Sequence, residues 1–207
     1  MLAILAPGQG SQTPGMLAAW LEDAELKNLL ASYSSAINLD LERLGTVADA
    51  DEIKDTANAQ PLIVAASLLS AHALGSDVQI SLVAGHSVGE IAAAALAATL
   101  TELDAMKLVH LRGQEMAKAA ALAPAGMSAV LGGERSVVLA AIKELGLVAA
   151  NDNGAGQIVA AGNLDALSKL APEGARVRAL AVAGAFHTPF MEPAVAPLRV
   201  DRKSTRL

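Results

Sequence analysis

"SLVAGHSVGEIAAAAL", residues 81–96, decides the fold class of this chain. An apolar run climbs to Gly85, a serine stands at Ser87, a second glycine follows at Gly89, and small apolar residues at helical spacing begin at once. Strand, tight turn and helix in that order are the parts of an α/β fold. Gly85-His86-Ser87-Val88-Gly89 also satisfies G-x-S-x-G. In that pattern the glycines let the backbone bend sharply, so that a serine hydroxyl stands clear of the strand end and faces the next helix. Ser87 is then a candidate nucleophile and the N–H of Val88 a candidate oxyanion donor. The competing account makes Ser87 a small residue in a tight loop.

Working outward, "LAILA" at 2–6 reads as a buried strand that ends in the turn "PGQGSQTPG". That turn is not a phosphate loop: Thr13 stands where a dinucleotide fingerprint needs glycine, and no Gly-Lys-Ser/Thr follows. Residues 16–30 have helical spacing, 40–60 read as loop and short helix, and 60–74 as a helix apolar nearly all round. A strand over 78–85 precedes the serine turn, and a helix over 102–120 follows.

After "LAPAG" at 122–126 the rhythm shortens. Strand at 127–132, helix at 134–146, strands at 147–151 and 156–162, helix at 163–171 and strand at 175–184 give a β-α-β-β-α-β order. That order is the signature of a split-βαβ, ferredoxin-like module. The expected division is 1–125 as the first part of an α/β body, 126–186 as an inserted subdomain, and 187–207 as an incomplete return to the body. The last stretch, "DRKSTRL", reads as a basic, patternless tail.

At 207 residues and 53% hydrophobic the chain has enough apolar material for a substantial core. The net charge of -6 argues against a nucleic-acid surface. With no cysteine, disulfides and thiolate nucleophiles are excluded. The N-terminus lacks a basic region and a long apolar run, so no signal peptide is expected, and the stretch after Glu90 is too short to span a bilayer. A cytoplasmic protein is the default expectation.

Four histidines are available as a base for Ser87. His72 falls in a helix expected to be buried, as a core or edge histidine. His86 adjoins Ser87 on an extended turn, where neighbouring side chains point apart. His110 lies two residues from Arg112, about 200° round a helix, so the two cannot face one pocket. His187, in "AGAFHTP" beyond the last strand, is the best candidate. Arg112 borders an apolar stripe. It is either a solvated helix arginine or, turned inward, a planar fork able to hold a carboxylate through two parallel hydrogen bonds.

Five ordered segments carry a family resemblance: "APGQGSQTPGM" at 6–16, "GHSVGE" at 85–90, "LVHLRGQEM" at 108–116, "NDNGAGQIVAAG" at 151–162 and "GAFHTPFM" at 184–191. Together they resemble the malonyl-CoA:acyl-carrier-protein transacylases of fatty-acid synthesis and the related acyltransferase domains of polyketide synthases. The resemblance implies an α/β-hydrolase-like body with a ferredoxin-like insertion, and a chain that normally continues beyond the histidine motif. It implies Ser87 as nucleophile, His187 as its base, Arg112 as the site for the malonyl carboxylate, and backbone N–H groups of Gln9 and Val88 as oxyanion hole. Phe186, just before the histidine, implies malonyl rather than methylmalonyl, though it equally suits core packing.

The implied partners are malonyl-CoA and an acyl carrier protein, whose phosphopantetheine thiol accepts the acyl group from a serine ester. The resemblance implies a monomer with no permanently bound cofactor, no metal, no nucleic acid and no membrane. Lys107, Lys118, Arg176 and Arg178 are candidates for carrier-protein docking. A serine hydrolase or thioesterase would need an acid between Ser87 and His187; Asp152, Asp165 and Glu173 lie there, all in the inserted module. A third account is a catalytically impaired fragment that binds CoA or carrier protein only.

Overall fold

A computed structural model describes residues 2–75 and 77–204 of the chain. It is a mixed α/β protein that divides into two compact units, Met1–Gln114 with Pro197–Leu207, and Glu115–Ala196.

The first unit is built on two parallel strands, β1 (Leu2–Ala6) and β2 (Ile80–Gly85), paired from Ala3↔Leu82 to Ala6↔Gly85. Between them run α1 (Ala24–Ile37), α2 (Leu41–Thr46) and α3 (Thr56–Ala73). α4 (Gly89–Leu96) follows β2 directly and packs against both strands, and α5 (Glu102–Ala120) comes next.

The helix expected from residue 16 begins only at Ala24, after a 3-10 turn at Trp20–Glu22. The cause is Asp23, whose extended backbone and carboxylate cap the helix, accepting from the N–H groups of Glu25 (2.8 Å) and Leu26 (3.2 Å). Asp55 caps α3 in the same way through Ala57 N–H at 2.8 Å, which starts that helix four residues ahead of its apolar run. Leu62, Ile63, Val64, Leu68 and Leu69 of α3 then form the centre of a core shared with Leu26, Leu30 and Tyr33 of α1 and with Ala92, Met106 and Val109.

β1 is not the buried strand expected. By register, Ala3 and Leu5 of β1 share a face with Leu82 and Ala84 of β2, and all four are exposed, Leu5 at 74% and Leu82 at 57%. A parallel sheet needs cover on both faces. Here Ala6, Ile4 and Val83 lie on the covered side, toward α4.

The second unit has a four-stranded antiparallel sheet in the order β4-β5-β3-β6. Its elements are β3 (Ala125–Gly132), α6 (Arg135–Glu144), β4 (Val148–Asp152), β5 (Gln157–Asn163), α7 (Leu164–Ser168) and β6 (Ala175–Ala179). Val130, Ile158 and Ala160 meet Val138 and Ile142 of α6 and Leu167 of α7 on one face. Met127, Val159 and Ala161 join Met116, Ala185, Phe186 and Met191 in a separate cluster. The last strand is shorter than expected. After Ala179 one further bond continues the pairing, Leu180 N–H to Met127 C=O at 2.9 Å, before Val182 N–H turns back to Leu180 C=O.

α8 (Glu192–Ser204) continues as a helix through the first four residues of the stretch expected to be patternless, since backbone hydrogen bonding needs no apolar period. Residues 205–207 of that tail lie outside the described residues. Among the described residues, no helix is long and apolar enough to cross a membrane.

The turn between β2 and α4 leaves no room for side chains at its glycines. A Cβ on Gly89 would lie 2.3 Å from the carbonyl oxygen of Ala6, and one on Gly85 would lie 2.2 Å from Gly89. Gly89→Ala should therefore cost about 3 kcal/mol, because the obstacle is backbone that cannot rotate away. The expected fall in Tm is roughly 6–12 °C for a chain of this size. An unchanged melt would mean that Ala6 does not sit against this turn.

Candidate active site

Ser87 sits on that turn with φ of 54°, a left-handed backbone conformation unfavourable for a residue with a Cβ. The surroundings over-determine it. His86 N–H donates to Ala6 C=O at 3.0 Å, extending the sheet pairing, while Gly89, Glu90 and Ile91 N–H groups donate to His86, Ser87 and Val88 C=O at 3.0–3.1 Å. These bonds start α4 and leave the N–H of Val88 outside the turn's own ladder, at the positive end of the helix. Val88 itself is buried, so the peptide is held on its side-chain flank as well.

The loop after β1 is tied by Gly10 N–H to Gln12 Oε1 at 2.8 Å and by the Ser11 hydroxyl to Gly8 C=O at 2.9 Å. Gln9 in this loop is half-buried, and its side-chain Nε2 donates to Thr56 Oγ1 at 3.2 Å.

Arg112 is not a solvated arginine. It is half-buried on α5, and its Nη1 donates to Gln60 Oε1 at 2.6 Å. Burial presses its guanidinium below the ordinary arginine range, with the charge of Glu90 acting in the opposite sense. Among the described residues no carboxylate forms an ion pair with it. The adjoining Gly113 allows the placement: a Cβ there would lie 2.9 Å from Thr56 C=O, so α5 crosses the start of α3 closely enough for Arg112 to reach Gln60.

Thr56 and Gln60 are fully buried and stand four residues apart on α3, on one face. Neither belongs to a motif that sequence reasoning singles out; Glu90 closes the segment GHSVGE but is given no role there. The available signal is two polar side chains on one stripe of an otherwise apolar helix.

Among the histidines, His72 is exposed rather than buried, because α3 surfaces at its C-terminal end; its Nε2 lies 2.8 Å from Glu102 Oε1. Glu102 also accepts from the Tyr33 hydroxyl at 2.5 Å, and burial first, then this carboxylate, push the tyrosine pKa upward. His86 is exposed. His110 is half-buried beside Gln114, with its Nε2 3.0 Å from the Gln114 amide nitrogen, and burial lowers its pKa.

His187 lies in the second unit with φ of 59° and is exposed. The segment around it is fixed by Thr188, whose hydroxyl donates to Ala185 C=O at 2.6 Å and accepts from Phe190 N–H at 3.2 Å. Phe186 is 6% exposed and packs with Met116, Ala119, Ala185 and Met191. Ser87, Val88, Gln9 and Arg112 thus belong to the first unit, and Phe186 and His187 to the second.

Of the acids a hydrolase would call on, Asp152 is taken by Arg135, Nε to Oδ2 at 2.9 Å, which holds its carboxyl below the usual range. Asp165 and Glu173 are exposed. Of the candidate docking cations, Lys118 pairs with Glu115, while Arg176 and Arg178 stand on one face of β6, both exposed.

The sequence profile described as "Acyl transferase domain" matches residues 4–206. The malonyl CoA-acyl carrier protein transacylase of Mycobacterium tuberculosis is 58% identical over 205 residues, covering 94% of this chain and 67% of that protein. The crystal structure of MCAT from M. tuberculosis superposes with a TM-score of 0.94 at 55% identity, over 98% of this chain and 70% of that one. An acyl-carrier-protein S-malonyltransferase from Burkholderia pseudomallei gives a TM-score of 0.88 at 34% identity, over 98% and 70% of the two chains. The chain therefore spans about two thirds of the length of these relatives. It belongs to the acyltransferase family and, within it, stands with the malonyl CoA-acyl carrier protein transacylases.

Proposed function

We propose that the chain moves a malonyl group from malonyl-CoA to the phosphopantetheine thiol of acyl carrier protein through a malonyl-serine ester. Ser87 Oγ attacks the thioester carbonyl while His187 takes its proton. The N–H groups of Gln9 and Val88 receive the oxyanion, and the C–S bond breaks to release CoA, which leaves as the thiol. The carrier thiol then attacks the ester, and the serine recovers its proton. Arg112 holds the malonyl carboxylate throughout, and Phe186 limits space beside the α-carbon, so malonyl is preferred to methylmalonyl.

The observation that carries this reading is Arg112: a half-buried guanidinium with no ion-pair partner among the described residues, in the same unit as the strained Ser87 turn. A buried cation without a counter-ion is costly, and an anionic substrate group relieves it. The finer architecture we infer is an α/β-hydrolase-like body with a ferredoxin-like subdomain. The β-α-β-β-α-β order and the strand order β4-β5-β3-β6 support that subdomain over 126–186, between body segments 1–125 and 187–207. We further infer a cytoplasmic monomer with no permanently bound cofactor, CoA thioester and carrier protein being substrates.

The test is intact-protein mass spectrometry. Mixing with malonyl-CoA should add one malonyl group, and adding phosphopantetheinylated carrier protein should discharge it. A protein that transfers malonyl without ever gaining mass would exclude the covalent route.

A further inference from the structure

Two parts of the proposed reaction, the carboxylate site and the oxyanion loop, are joined by a chain of side-chain hydrogen bonds. Arg112 Nη1 donates to Gln60 Oε1 at 2.6 Å, Gln60 Nε2 to Gln9 Oε1 at 3.5 Å, and Gln9 Nε2 to Thr56 Oγ1 at 3.2 Å. The direction of this chain is set at one end. A guanidinium only donates, so the amide of Gln60 must turn its oxygen to Arg112 and its nitrogen to Gln9. Gln9 must then present its oxygen to Gln60 and its nitrogen to Thr56.

Gln60 is the hinge of the chain. It is 1% exposed, one turn into α3, and its amide contacts both the cation and the loop. A glutamine suits this place for a chemical reason. It accepts from the guanidinium without neutralising it, so one donor of the fork is fixed in space while the charge stays available to a ligand. A carboxylate here would occupy the cation itself; an apolar side chain would leave Arg112 free to swing.

We propose that Gln60 is a positioning residue of this acyltransferase: it orients Arg112 for the acyl carboxylate and, through Gln9, ties that orientation to the loop that supplies an oxyanion donor. This rests on the function proposed above. It makes carboxylate recognition and transition-state stabilisation parts of one hydrogen-bonded unit.

The test compares Gln60→Glu and Gln60→Leu with the parent, using malonyl-CoA and acetyl-CoA as substrates and thermal melts as a control. Gln60→Glu has the same size and places an internal carboxylate against Arg112. It should keep or raise Tm, yet lower kcat/KM for malonyl-CoA about 100-fold, against about 10-fold for acetyl-CoA, which loses only the amide's tie to the Gln9 loop. Gln60→Leu should lower kcat/KM for malonyl-CoA about 10-fold, part of it in kcat because the Gln9 loop is loosened. In a Ser87→Ala background, where no ester forms, both variants should weaken malonyl-CoA binding by calorimetry and leave CoA binding unchanged. That measurement holds even if transfer activity is low.

Equal losses for malonyl and acetyl substrates would make Gln60 an ordinary core residue and overturn the proposal. So would an unchanged malonyl preference in Gln60→Glu. If the Ser87→Ala parent binds malonyl-CoA no more tightly than acetyl-CoA, the carboxylate site itself is absent, and the proposed function falls with this inference. If the parent discriminates and both variants discriminate equally, this inference alone falls.

Discussion

Ser87→Ala should abolish the malonyl-enzyme adduct and lower malonyl transfer by at least about 10³-fold, the scale of losing a nucleophile that acts as a unit with its base. No thiol can replace it, because the chain contains no cysteine. Stability offers the discriminating control. Ser87 has φ of 54°, and alanine meets the same steric conflict as serine in that region, so Tm should move by only about 1 °C. Ser87→Gly removes the Cβ and should be more stable than Ser87→Ala by about 1 kcal/mol while equally inactive. A turn that gains stability on losing its function is one whose strain is kept for the reaction. Retained transfer in Ser87→Ala would remove Ser87 from the mechanism; no difference between the alanine and glycine variants would show that the turn is unstrained.

The turn is legible in the sequence because its demands are local. Strand, G-x-S-x-G and helix fall within sixteen residues, and the carbonyl of Ala6 pressing on Gly89 only explains a glycine that the motif already displays. The strand and helix order of the second unit is legible for the same reason: short periods interrupted by Gly133, Gly146 and Gly174, each at positive φ.

What the sequence hides is set by distant partners. Nothing near Asp23 or Asp55 in sequence outweighs the apolar periods that follow them, so the caps move two helix starts. The exposure of Leu5 depends on what covers the β1–β2 sheet, not on the leucine. The Gln9–Gln60–Arg112 chain joins residues about fifty positions apart through amides, which have no period and no motif. Gly113 reads in the sequence only as a member of an apolar stripe; its closeness to Thr56 C=O is what turns the neighbouring arginine inward.

Arg112→Ala should then separate substrates more sharply than any other change at the site. Losing one partner of a desolvated charge pair costs about 2–5 kcal/mol, so kcat/KM for malonyl-CoA should fall about 10²–10³-fold. Acetyl-CoA has no carboxylate and loses nothing by that route; its kcat/KM should stay within about 3-fold of the parent, bringing the two substrates close to parity. Burial makes the charged guanidinium costly in the empty site, so an anionic ligand that pairs with it gains from that same desolvation. Arg112→Lys should fall between. It keeps a charge, but its single ammonium cannot donate to Gln60 and also grip both carboxylate oxygens with a planar fork. Arg112→Ala also removes the hydrogen bond to Gln60 Oε1, about 1 kcal/mol, too little to account for a selective loss. Parallel rate losses on malonyl- and acetyl-CoA would therefore mean that Arg112 supports the fold and does not read the acyl group.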